Sequence, residues 1–120
     1  MKTPSNIRLS KDKKQLTITF DKVEYPMSSE FLRVYSPSAE VQGHGKGQEV
    51  LQLNKKNVEI EKLQPTGNYA IAIHYSDSHS TGIYSWNYLY HLAINHEKLW
   101  FDYCQKVNNK QNNNYDKVVI

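Results

Sequence analysis

Cysteine is nearly missing: Cys104 is the only one in 120 residues, so no internal disulfide can staple the fold. That fits a reducing compartment, and the cytoplasm is the expected address. Long hydrophobic runs are missing too. No stretch approaches the roughly 18 apolar residues needed to cross a bilayer, and the opening MKTPSNIRLS has no apolar centre of a secretory leader. No membrane association is therefore expected. Charge of one sign is not in excess, since 15 Lys and Arg face 12 Asp and Glu for a net +3. The densest basic cluster, Lys11, Lys13 and Lys14, sits where a hairpin turn is expected. A nucleic-acid partner needs a stronger positive footprint than this.

Glycine and histidine are present, but not in catalytic spacings. Gly43, Gly45 and Gly47 alternate with His44 and Lys46, which meets neither the phosphate-loop nor the dinucleotide-fingerprint spacing. A flexible surface loop is the simpler reading. Two positions beyond the five histidines stand Lys46, Ser76, Thr81, Ala93 and Lys98. None is acidic, so the His-x-Asp/Glu pair of a nonhaem iron site is missing. No G-x-S-x-G elbow marks an activated serine, and Cys104 falls on an expected amphipathic helix as a structural thiol.

What the chain has in quantity is aromatic rings: nine Tyr, three Phe and two Trp in a sequence of mean hydropathy −0.74. Such rings give a small domain much of its hydrophobic stabilisation. Leu16, Ile18 and Phe20 alternate with Thr17 and Thr19 as a half-buried strand, with Asn6 to Ser10 as its shorter partner across a turn at Lys11-Asp12-Lys13. Val23-Glu24-Tyr25 reads as a strand closed by Pro26, and Ser28 or Ser29 as the cap of a short helix ended by Pro37. A further strand holds Val58 and Ile60, Pro65-Thr66-Gly67-Asn68 reads as a turn, and Tyr69 to Tyr75 as a central strand. After a polar loop from Ser76 to Gly82, Ser85 caps a helix carrying Trp86, Leu89, Tyr90 and Ala93, and Asn95 caps another carrying Leu99, Trp100, Tyr103 and Val107. These elements predict an α+β fold: a mainly antiparallel sheet, a short helix after the first strands, and two C-terminal helices. The expected domain covers 1–107, and the Asn- and Lys-rich 108–120 reads as a disordered polar tail.

The candidate site lies in the second half. His74, His79, His91 and His96 crowd into the segment from 74 to 96, though nothing in their spacing requires them to converge. His79, two residues after Asp77 in a loop that ends in Gly82, is the sharpest candidate. The Asp could orient the imidazole for acid–base work or metal binding, or equally bond its own backbone as an Asx-turn. His79 and Asp77, with His44 as a weaker third, are the candidate metal ligands, and zinc or iron the candidate metals. Tyr69, Tyr84 and Trp86 are the candidate interaction surface, their phenols and indole making a polar-edged patch beside the histidines.

The string Pro65-Thr66-Gly67-Asn68-Tyr69-Ala70, continuing through Asp77-Ser78-His79 to Gly82-Ile83-Tyr84-Ser85-Trp86, resembles the signature of the gamma-butyrobetaine hydroxylase-like N-terminal domain family. Leu16 to Phe20, Phe31-Leu32-Arg33, and Ser36 to Val41 with Gly43-His44-Gly45 match its earlier pieces in order. In the hydroxylases the resemblance implies a domain preceding a catalytic iron and 2-oxoglutarate jelly roll. There it holds a structural zinc through three cysteines and the histidine of a D-x-H loop. His79 matches that histidine, whereas the cysteine positions fall on Ser36, Ser38 and Val41, and one Cys excludes a four-thiolate site. Similar domains are also fused to P-loop ATPases that carry iron–sulfur clusters, and occur alone in bacteria. The resemblance thus implies a stand-alone, noncatalytic accessory domain that binds an unidentified protein partner, linked to iron–sulfur assembly or to an oxygenase. The alternative is a metal-binding domain built on His79 without thiolates.

Overall fold

Hydrophobic alternation sets the first sheet. The computed structural model describes residues 2–43, 45 and 47–118, with side chains as far as Gln111. Strand β2 (Gln15–Phe20) is central, paired antiparallel to β1 (Asn6–Leu9) on one side and β3 (Val23–Ser28) on the other. Its Leu16, Ile18 and Phe20 are almost wholly buried, as the period of two requires. Pro26 does not end β3 as expected. It stands in register opposite Thr17, and the strand continues to Ser28. On an edge strand a missing N–H costs no ladder bond, which is why the proline is tolerated there.

Helix α1 (Ser29–Val34) follows directly, with Ser28 as its N-cap: the hydroxyl accepts from the Phe31 amide at 3.0 Å. The connection beyond it carries a single helical turn, α2 (Ala39–Gln42). The second sheet has the order β4 (Ile60–Thr66), β5 (Ala70–Tyr75), β6 (Gly82–Ser85), all antiparallel. Pro65 again belongs to an edge strand, opposite Ile71, so the turn is confined to 67–69, where Gly67 has φ of 62°. Strand β6 is too short for its alternation to stand out in the sequence. The sheets meet where the Ile60 amide donates to the Lys13 carbonyl, and the Ser29 hydroxyl donates to that of Val58.

Ser85 caps α3 (Trp86–Ile94) by accepting from the Tyr88 amide, and after Asn95 the chain enters α4 (His96–Val118). Helix α4 runs past residue 107, through the Asn- and Lys-rich segment as far as Val118. No Gly or Pro interrupts the sequence after Gly82, so a helix nucleated on its packed first turns can propagate through modest helix formers such as Asn. One cluster of buried side chains joins both sheets to α1 and α3, with Phe31, Ile60, Ile73, Tyr84 and Leu89 completely buried. The result is α+β, as the sequence predicts. No helix among the described residues is long and apolar enough to cross a membrane.

Tyrosine, not phenylalanine, dominates the rings for a reason visible in the core. The hydroxyls of Tyr35, Tyr84, Tyr88 and Tyr103 donate to the carbonyls of Leu99, Leu32, Tyr35 and Gln52, each at 2.6 Å. Tyr84 gives its only hydroxyl hydrogen to Leu32, so the 2.7 Å contact with Tyr75 has Tyr75 as donor. Burial pushes the phenols of Tyr75 and Tyr84 well up from their ordinary value, and that of Tyr35 up to about 12, so all three stay neutral donors. Tyr84→Phe should therefore lower unfolding free energy by about 1–3 kcal/mol, since it orphans the Leu32 carbonyl. Urea denaturation at neutral pH checks this, and an unchanged midpoint would contradict the assignment.

Candidate functional site

His79 is held between two segments far apart in sequence. Its loop follows β5, where the Tyr75 amide donates to the His79 carbonyl at 2.9 Å and Asp77 accepts from the His79 amide at 3.2 Å. That is the Asx-turn reading of the Asp-x-His spacing: the carboxylate organises the loop backbone, not the ring. The imidazole turns inward and is 5% exposed. Its Nε2 lies 2.9 Å from Ser36 Oγ and 3.3 Å from Ser38 Oγ, on the connection between α1 and α2. Nδ1 faces Glu40 Oε2 at 3.5 Å, which favours the tautomer with the proton on Nδ1 and a free lone pair on Nε2. Burial pushes the ring's pKa down, Arg33 adds to this, and Glu40 and Asp77 oppose it without prevailing.

Below the ring, Arg33 and Asp77 form an ion pair at 2.9 Å. Arg33 stands at the end of α1, nearly buried, and its Nη1 donates to Gln52 Oε1 at 3.1 Å. Lys55 donates to the same Asp77 oxygen at 2.6 Å. Partial burial raises the Asp77 carboxyl, but Lys55, the His79 amide and Arg33 outweigh it and hold it down at about 2. Gly82 completes the enclosure: a Cβ there would lie 2.5 Å from Ser36 Oγ and 3.0 Å from the Tyr84 ring. Every buried side-chain nitrogen and oxygen among the described residues has a hydrogen-bond partner.

The other candidates do not join this cluster. His74 lies on β5 opposite Lys62, His91 stacks on Tyr88, and the His96 ring packs against Phe31 at 4.4 Å. His44 lies outside the described residues. Tyr84, expected on an interaction surface, is fully buried, because the alternation of β6 turns it inward and its neighbour Ile83 outward at 52% exposure. Tyr69 is exposed at 59%, and Trp86 is half-buried with its indole N–H donating to the Asn68 carbonyl. The Tyr84 hydroxyl, expected to edge a binding patch, donates into the fold to the Leu32 carbonyl instead. Sequence reasoning missed Arg33, Lys55, Gln52 and Glu40; Arg33, inside the Phe31-Leu32-Arg33 match, and Glu40, inside the Ser36 to Val41 match, carried the available signal.

A family model described as "Gamma-butyrobetaine hydroxylase-like, N-terminal" matches residues 7–90, and the chain belongs to that family. No curated protein matches it. Two solution structures determined by NMR each share 43% identity over 92% of this chain; one has a TM-score of 0.81 with 88% of its own length covered, the other 0.77 with 83%. A crystal structure from Acidithiobacillus ferrooxidans, of a protein of unknown function in the DUF971 family, is 30% identical over 75% of this chain and 91% of its own, with a TM-score of 0.62.

The residues present do not fit the zinc that the family resemblance implies. At the matched positions stand one imidazole, two neutral hydroxyls within 3.3 Å of it and of each other, and the aliphatic Val41. No group of three His, Cys, Asp or Glu among the described residues could hold a metal ion.

Two acid-side losses of stability are expected. The His79 pKa in the fold lies below 6.5, so the unfolded chain binds the proton more readily and stability falls as pH drops through about 6.5. Asp77 at about 2 in the fold against 3.8 in the unfolded chain adds a second loss below about pH 4. Asp77→Asn should remove only the second and cost about 2 kcal/mol near pH 7. Urea unfolding across this range provides the measurement, and a flat profile down to about pH 3 would refute both.

Proposed function

We propose that this chain is a noncatalytic accessory domain that works by docking on a protein partner. The observation carrying this reading is the sealing of the one catalytic-looking constellation among the described residues. Ser36 Oγ, His79 Nε2 and Nδ1, and Glu40 Oε2 follow one another at 2.9 and 3.5 Å, the connectivity of a serine–histidine–acid relay. Yet Ser36 is completely buried and His79 is 5% exposed, leaving a substrate no path to the hydroxyl. A buried, satisfied polar network specifies how two segments pack, and that is the role its geometry supports.

Docking is supported by what the second sheet leaves outside. Ile83 projects from β6 beside Ala72 of β5, and Tyr69 sits on the adjoining turn, tied to α3 by the bond from the Trp86 amide to its carbonyl. Exposed apolar and aromatic side chains beside the alanines of β5 suit the centre of a protein interface. The family resemblance supplies the candidate partners: an iron–sulfur carrier ATPase first, a separately encoded oxygenase second. The metal-centred alternative is less well supported, because one Asp77 oxygen is engaged by Arg33 and Lys55 and the other by the His79 amide.

Titration of the purified chain against each candidate by biolayer interferometry tests the proposal. Ile83→Asp and Tyr69→Ala should each weaken binding by about tenfold or more, roughly 1.4 kcal/mol, without moving the melting temperature. Absence of binding to both candidates, or binding indifferent to both substitutions, would overturn it.

A further inference from the structure

The side chains that converge on His79 Nε2 come from positions 36 and 38, and their arrangement is unusual for serines in this setting. Ser38 occupies the N-cap position of α2 but makes no side-chain cap bond. Its hydroxyl points instead to His79 Nε2 at 3.3 Å and to Ser36 Oγ at 3.3 Å. Ser36, completely buried, closes the triangle with a 2.9 Å contact to Nε2. A serine at a helix start ordinarily caps it, so its diversion here reports a competing demand at the centre of the triangle. Val41 follows within the same turn, its amide on the Ser38 carbonyl at 3.1 Å and its side chain buried.

The triangle has nearly the dimensions of a metal site. Zinc bonds of about 2.3 Å to sulfur and about 2.0 Å to nitrogen at tetrahedral angles separate neighbouring donors by roughly 3.5–3.8 Å. The observed edges are 2.9, 3.3 and 3.3 Å, each shorter than that, and the two hydroxyl hydrogens supply two of the three as hydrogen bonds. The Nε2 lone pair aimed into the triangle is the one an imidazole would offer a metal, and the proton favoured on Nδ1 by Glu40 leaves it free. Gly82 lets the start of β6 approach this triangle closely, since a Cβ there would lie 2.5 Å from Ser36 Oγ.

We infer that in this chain the trio Ser36, Ser38 and His79 is a metal-free clamp standing where a zinc ion would sit, joining the α1–α2 connection to the β5–β6 loop by hydrogen bonds. The backbone around it retains the geometry to bind zinc once thiolates stand at positions 36, 38 and 41. The chain as it exists folds without metal, and its polar clamp is closed by two hydroxyl contacts.

Two measurements test this. First, the unaltered protein, incubated with zinc and dialysed, should hold less than about 0.1 zinc per chain by native mass spectrometry and elemental analysis, and a chelator should leave its melting temperature unchanged. Zinc retained at about one per chain, or a chelator-induced drop in melting temperature, would overturn the inference. Second, the variant Ser36→Cys, Ser38→Cys, Val41→Cys, refolded with zinc, should bind one ion. With cobalt(II) in its place it should show thiolate charge-transfer and tetrahedral ligand-field bands. Adding His79→Ala to that variant should weaken cobalt binding by at least about tenfold. A triple variant that takes no metal, or does not fold even with zinc present, or whose binding ignores His79, refutes the retained geometry.

Discussion

A helix of six residues cannot close its own carbonyls, and much of this structure follows from how α1 is finished. The carbonyls of Leu32 and Tyr35 at its end accept the hydroxyls of Tyr84 from β6 and Tyr88 from α3. These bonds anchor the end of α1 to the second sheet and the C-terminal helices. They also set the exit direction of the chain, and the next residue after Tyr35 is Ser36. Placing that hydroxyl 2.9 Å from His79 is thus a consequence of capping α1 from outside. Arg33, on the same last turn, reaches Asp77 for the same reason.

This constraint explains the choice of ring. A phenylalanine at position 84 would fill the same volume and leave a buried carbonyl without a donor, a loss that burial makes larger than the worth of an average hydrogen bond. Tyr88 and Tyr103 repeat the device on the carbonyls of Tyr35 and Gln52, while Tyr35 bonds the carbonyl of Leu99 at the start of α4. A small chain rich in polar residues can thereby build a core in which irregular backbone is satisfied by side chains where it has no ladder to join. The polar edge of the aromatics is a structural resource, facing inward.

Much of this fold was legible in the sequence, and the misses share one cause. The alternation of Leu16, Ile18 and Phe20, the caps at Ser28 and Ser85, and the two-helix ending could all be read because local periodicity and capping chemistry determine them. Pro26 reads as a strand end and Pro65 as part of a turn, yet both lie within strands, because their tolerance depends on lying at a sheet edge, which is tertiary information. Tyr84 was misplaced for a similar reason, since four residues of β6 are too few to reveal which face is buried. In the site, His79 and Asp77 stood out by spacing. Their partners Ser36, Ser38, Arg33 and Lys55 lie more than twenty positions away, and only folding brings them together.

The polar cluster also bears on where function can reside. Desolvating Arg33, His79 and two serines opposes folding, and their mutual bonds repay this only when every member is present. A network of that kind contributes specificity: it admits one placement of the α1–α2 connection against the β5–β6 loop and penalises the alternatives through unpaired groups. Its groups are engaged with one another, so that every buried side-chain nitrogen and oxygen among the described residues is satisfied within the fold. Side chains not engaged in this way lie on the second sheet, where Tyr69 on the turn and Ile83 on the outer face are exposed. The cluster fixes that sheet to the rest of the chain, so the rigidity built around His79 is what presents Ile83 in a defined orientation.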